Sequence, residues 1–159
     1  MTTKIRIHES GDIKLSEMTT RKLVTFDSNP KVNKSILEGF LTGIMHFAPN
    51  VVSGVMDVCP DKSDACVESC LMTAGRGAFD PKVAAARIAR TVLFATNKKE
   101  FWTQIIKDVD ALIRAADRRG LIPAVRLNGT SDLPWERIKI RGTRFDGMTI
   151  FEAYPEIQF

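Results

Sequence analysis

The chain has 159 residues, a formal net charge of +4, 44% apolar residues and 26% charged ones. That length accommodates one domain with a real core and leaves little room for two, so a single continuous domain over residues 1–159 is expected. No apolar run approaches the ~20 residues that cross a bilayer, Met1–Arg6 has no apolar signal core, and the charge is dispersed rather than gathered in a tail. A membrane-spanning helix and a secretion signal are not expected, the reducing cytoplasm is the expected compartment, and the charge gives only a slight pointer to a polyanionic partner.

In chain order, residues 1–35 read as an irregular polar segment with turn signals at Ser10-Gly11-Asp12 and Ser28-Asn29-Pro30. Leu23–Phe26 has the composition of a short edge strand. Phe40–Ala48 is apolar, bounded by turn residues, and reads as a buried strand. Gly75-Arg76-Gly77 closes the segment after it. Asp80-Pro81 then supplies an N-cap with proline at the first helical position, and a helix is expected from there to about Thr96. Asn97 and Glu100 form a capping box for a second helix. Its core stripe is Phe101, Ile105, Val109, Leu112 and Ala116, and Gly120 is its stop. Ile122–Asn128 alternates as a strand, with Val125 and Leu127 on one face and Arg126 and Asn128 on the other. Leu133-Pro134-Trp135-Glu136 reads as the start of a short helix, and Met148–Tyr154 as a third strand.

This order predicts an α/β fold, a partial (half) barrel or small parallel sheet with crossover helices. In such sheets functional groups gather beyond the carboxyl ends of the strands. Two polar loops follow the two core strands, one carrying the cysteines and the other spanning Asn128–Asp132, so they are expected at one end of the sheet.

All three cysteines, Cys59, Cys66 and Cys70, fall within that first loop and the turn after it, spaced C-x6-C-x3-C. An odd number cannot be consumed in disulfides within the chain, so a shared ion or cluster is the simpler explanation. Cys66 and Cys70 are four residues apart and would share one face of a helical turn, roughly 6 Å apart at Cβ. Thiolates suit zinc and iron–sulfur centres alike. A structural zinc would need a fourth ligand, for which His46, Asp57, Asp61 and Asp64 are available. His46, inside an apolar strand, reads more simply as a core histidine.

With those residues in view, the chain resembles the bacteriophage and mobile-element family called gene product 88. The likeness rests on Leu41–Ala48 leading into Val58-Cys59-Pro60, on Cys66-x3-Cys70-Leu71, on Gly75-Arg76-Gly77, and on Ala86-Arg87-x2-Arg90-Thr91. It continues with Val125–Asp132-x2-Trp135-Glu136 and covers about residues 15–159. A cysteine loop after a first barrel-like strand is similar to that of radical SAM enzymes, which implies a [4Fe-4S] cluster held by Cys59, Cys66 and Cys70. Those enzymes usually space their cysteines C-x3-C-x2-C, so the resemblance implies the cluster without implying SAM chemistry. Family members continue past a segment like Ile157–Phe159. The likeness therefore implies a short, split or partial form whose open sheet edge a partner, or a second copy of the chain, would cover.

The remaining candidate site residues are the cations Arg76, Arg87, Arg90 and Arg126, which would balance the charge of a three-thiolate cluster, and Asn128, Thr130, Ser131 and Asp132, which would bind a small polar ligand or the open iron. Arg126 in a buried strand needs a partner, and Asp132 is the candidate. Equally, short polar side chains in such a loop cap their own backbone. The function expected is that of a phage-type iron–sulfur protein with a redox or radical-type site, located in the host cytoplasm, its enzymatic status left open. The alternative is a non-catalytic zinc- or iron–sulfur-stabilised module that binds a host or phage protein, or nucleic acid. Trp102 and Trp135 are not interleaved with basic residues as single-strand binding requires.

Overall fold

The computed structural model describes residues 4–7, 11–14, 22–26, 30–70 and 80–159. In chain order the elements are strands β1 (Lys4–Ile7), β2 (Gly11–Lys14) and β3 (Val24–Thr25), helix α1 (Pro30–Leu37), strand β4 (Phe40–Met45), and helices α2 (Asn50–Ser53) and α3 (Asp64–Glu68). The long helices α4 (Pro81–Thr96) and α5 (Lys98–Arg119), strand β5 (Ile122–Arg126) and the short helix α6 (Ile150–Ala153) complete the order. They fall into two compact units, each built from segments distant in sequence.

One unit contains Lys22–Met45, Lys98–Gly129 and Pro134–Phe159. Its sheet has the order β3-β4-β5. Val24 pairs antiparallel with Met45, and β5 pairs parallel with β4, Phe40 opposite Ile122 and Ile44 opposite Arg126. Alternation along β4 turns Leu41, Gly43 and Met45 to the face that α5 covers, and all three are buried. The approach is close at Gly43, where a Cβ would lie 2.5 Å from Val24 Cγ1 and 3.2 Å from Leu112 Cδ2. Phe101, Ile105, Val109, Leu112 and Ala116 of α5 are completely buried, which is the stripe the sequence predicts. Gly120, at φ +63°, ends the helix in the left-handed region that suits glycine.

One polar residue of α5 lies within that apolar face. Asp108 is 5% exposed, and its Oδ2 accepts the backbone N–H groups of Leu23 at 2.6 Å and Val24 at 3.1 Å. Gln104, one helical turn earlier, donates to Oδ1 at 2.8 Å. The carboxylate thus occupies the backbone donors where β3 begins, which stay buried without a further strand.

The other unit comprises the β1–β2 hairpin, His46–Asn97 and Thr130–Leu133. Its core joins Ala48 to Ala84, Ile88 and Val92 of α4, and the Phe47 and Phe94 rings meet 5.6 Å apart. Thr91, fully buried, accepts the Ala48 N–H at 2.9 Å, and its hydroxyl lies 3.1 Å from the carbonyl oxygens of Ala48 and Arg87. One hydroxyl therefore holds the chain leaving β4 against α4. The Asp80 side chain caps α4 by accepting the Lys82 N–H at 2.9 Å, with Pro81 as first helical residue, as expected.

Several expectations are corrected. Among the described residues of 1–35, read as irregular, β1 and β2 pair antiparallel, Lys4 with Lys14 and Ile7 with Gly11, favoured by the polar–apolar alternation of Lys4–Ile7. Gly11 and Asp12 lie in its second strand rather than in a turn, and Pro30 begins α1. The strand predicted over Phe40–Ala48 ends at Met45. Met148–Tyr154 is not a strand but contains α6, because Thr149 and Glu152 form a reciprocal capping box: Thr149 Oγ1 accepts the Glu152 N–H, and Glu152 Oε2 accepts the Thr149 N–H. Leu133–Glu136 begins no helix. Arg137 and Ile138 donate only to the carbonyls three residues back, while Trp135 is drawn inward and its Nε1 donates to Asn128 Oδ1 at 2.9 Å. Arg126 is not a buried charge. It is exposed, its Nε donates to the Asn128 carbonyl at 3.3 Å, and the need for Asp132 as its partner disappears.

Candidate functional site

The cysteine segment is organised by its own polar side chains. Asp57 accepts the Cys59 N–H at 3.0 Å and pairs with Lys62, which closes the turn around Pro60, and the Lys62 N–H donates to the Cys59 carbonyl at 3.3 Å. Ser63 caps α3 by accepting the Cys66 N–H at 3.3 Å, and its hydroxyl donates to the Cys66 sulfur at 3.2 Å. The helix ends at Glu68, and Ser69 leaves helical geometry at φ −103°, ψ 29°. Cys66 and Cys70 therefore do not share a regular helical face. Cys66 is exposed on α3, whereas Cys70 lies beyond the cap, half-buried against Ala48, Ala84, Ile88 and Val92.

Cys59 is half-buried. Its neighbour Val58 is fully buried, and the Val58 carbonyl accepts the Asp132 N–H at 2.8 Å. This bond brings the segment before Cys59 beside the residue at the end of the Asn128–Asp132 loop. Burial pushes the Cys59 thiol up; a hydrogen bond from the Asp132 backbone opposes that, while charge on Cys70, Asp57 and Asp132 adds to it. Cys66 is shifted the other way, its thiol lowered by the Ser63 hydroxyl and then by the Ser63 backbone. The two thiols are thus set apart chemically, one shielded and reluctant to ionise, the other in water with a donor on its sulfur.

Arg87 and Arg90, read from the sequence as candidate site cations, are both buried, at 9% and 8% exposure. Burial lowers the Arg87 pKa, and Cys70 opposes the shift, so the guanidinium and that thiol are electrostatic neighbours. Ser131 is half-buried and Asp132 exposed. Thr130 donates its hydroxyl to the Phe47 carbonyl at 2.7 Å, which pins this loop just past β4. Arg126 and Asn128 belong to the other unit, and Arg76 lies outside the described residues. Among the described residues no group of three or more His, Cys, Asp or Glu side chains is gathered closely enough to hold a metal ion. His46 is half-buried, Asp61 and Asp64 are exposed, and Asp57 is engaged by Lys62.

Sequence reasoning missed the organising roles of Ser63 and Thr91. The first was legible as a helix-capping serine three residues before Cys66. The second, one hydroxyl in an apolar helix, has no local signature, because its partner Ala48 is 43 residues away.

The site and fold define a small α/β protein with a three-stranded open sheet and a cysteine-bearing surface segment. A family model described as gene product 88 matches residues 15–159, and the chain belongs to that family. No curated protein and no solved structure matches it. Among the described residues no helix is long and apolar enough to cross a membrane.

Proposed function

We propose that this protein is an iron–sulfur protein that holds a [4Fe-4S] cluster through Cys59, Cys66 and Cys70. The observation that carries the reading is the pairing of the shielded thiols: Cys59 and Cys70 interact electrostatically, and Cys70 also neighbours the buried Arg87 guanidinium. The donor set fits in chemistry, being three thiols outside any disulfide and soft enough for iron. It fits in position only in part. Cys59 and Cys70 are half-buried within electrostatic reach of each other, and the third thiol must leave Ser63 and turn inward, a local change because α3 is a single exposed turn.

In this reading Arg87 offsets the negative charge of the thiolates, Asp132 supplies a backbone donor to the Cys59 sulfur, and Ser63 holds Cys66 in water until it is needed. Such a cluster supplies one-electron chemistry or an open iron position when bound. Zinc, with a fourth ligand from Asp57 or His46, is the competing occupant.

Anaerobic reconstitution tests the reading. About four irons and four sulfides per chain and a broad visible absorption are expected, with both lost in Cys59→Ala and Cys70→Ala. A colourless protein that retains one tightly bound zinc through anaerobic preparation overturns it. A spectral change on adding SAM identifies the open iron as a ligand-binding position.

A further inference from the structure

The sheet of the second unit is covered by α5 on one face only. The opposite face carries a cleft of about 570 Å³, within the range of small-molecule sites. Phe40 and Thr42 of β4 and Ala124 and Arg126 of β5 form its floor, which follows from register, since Thr42 pairs with Ala124 and Ile44 with Arg126. The chain then returns along β5: the Val125 N–H donates to the Gln158 carbonyl at 2.7 Å, and the Gln158 N–H donates to the Pro123 carbonyl at 3.2 Å. This pairing sets Phe159 at the rim, where its ring meets Phe151 edge to face at 4.8 Å.

The cleft is asymmetric in charge. Among the described residues that line it, Arg126 has the one charged side chain, and no Asp or Glu contributes to it. Among the described residues Arg126 is engaged through Nε, by the Asn128 carbonyl, which leaves the forked Nη pair for a carboxylate or phosphate. Its aromatic side chains are Phe40, Phe151 and Phe159, with the buried Trp135 beneath them, whose indole is fixed by Asn128 Oδ1. Aromatic walls with one unmatched cation select a planar ring bearing one negative group.

We propose that this cleft binds a small aromatic anion, its ring packed against the phenylalanines and its carboxylate or phosphate on Arg126. The site is independent of the thiolate reading, since none of its residues lies in the cysteine-bearing unit. Isothermal titration of the full chain with adenosine monophosphate, indole-3-acetate, adenosine and inorganic phosphate tests it.

At least one of the two aromatic anions binds, and the tighter one tells whether phosphate or carboxylate is preferred. Adenosine and inorganic phosphate each bind about tenfold or more weaker, the loss expected for one charge-assisted contact. Arg126→Gln, at an exposed position, keeps its circular dichroism and loses about tenfold for the anion. In NMR spectra the Trp135 indole N–H shifts on binding and that of the buried Trp102 does not. Binding of neither aromatic anion, equal affinity for adenosine and its monophosphate, or an unchanged Arg126→Gln overturns the proposal. Displacement of the anion by an uncharged apolar peptide does so in favour of a docking groove.

Discussion

Asp108 illustrates how one side chain is assigned by its partners rather than by its neighbours in sequence. It lies between the buried Ile105 and Val109 on α5, and a helical projection alone gives no reason for a charge there. Its reason is the entry to β3, where it accepts the N–H groups of Leu23 and Val24 from 85 and 84 residues away. Asp108→Ala leaves two buried backbone donors unmatched and lowers unfolding free energy by about 3 kcal/mol, read from urea denaturation. Asp108→Asn, which keeps an acceptor, costs less. The cysteines give a second test. Near neutral pH, iodoacetamide modifies Cys66 before Cys59, because Cys66 is exposed with a lowered thiol pKa and Cys59 is half-buried with a raised one. Peptide mass spectrometry over a time course orders the two, and Ser63→Ala slows modification at Cys66.

For the elements, legibility followed the range of the interactions that specify them. α4 was readable from its cap and α5 from its stripe and stop, signals that act within a few residues of one another. α6 was misread because the apolar Met148–Tyr154 run suggested a strand, although the Thr149–Glu152 box was present in the letters. The box carries its own titration. The Thr149 backbone N–H, then the Lys139 ammonium, hold the Glu152 carboxyl down to about 2. A folded pKa below the unfolded value means that the contribution is complete above the ordinary glutamate range and is lost as pH falls towards 2. Carbon-13 titration of Glu152 gives the midpoint, and Thr149→Ala raises it while costing about 1 kcal/mol in cap stability. In β4, Gly43→Ala forces a methyl group against Val24 and Leu112 and destabilises by ~1–3 kcal/mol, measured by thermal unfolding. The sequence read this glycine as part of an apolar strand; its close packing comes from Val24 of β3 and from Leu112 of α5, both distant in sequence.

Across the whole molecule, the two compact units are assembled by alternating segments, so neither corresponds to a continuous stretch of chain. A cluster held by Cys59, Cys66 and Cys70 would add its binding energy to the unit that contains them. Reconstitution is therefore expected to increase hydrogen-exchange protection in α4 and the cysteine segment, while α5 changes less; uniform protection of both would show that the units open together.

By itself, the sequence determined the long helices, the two parallel-paired strands and the concentration of every thiol in one short segment, since each depends on local periodicity, capping or spacing. It led to the expectation of the cysteine loop and the Asn128–Asp132 loop at one end of the sheet; within the cysteine-bearing unit, Asp132 meets Val58 through a backbone hydrogen bond. Tertiary structure alone decided which arginines are buried. Arg87 and Arg90 are enclosed in the packing of their helix, whereas Arg126 projects from the sheet face that α5 leaves uncovered. Burial depends on what packs against a residue from a distant part of the chain, and no local pattern encodes that.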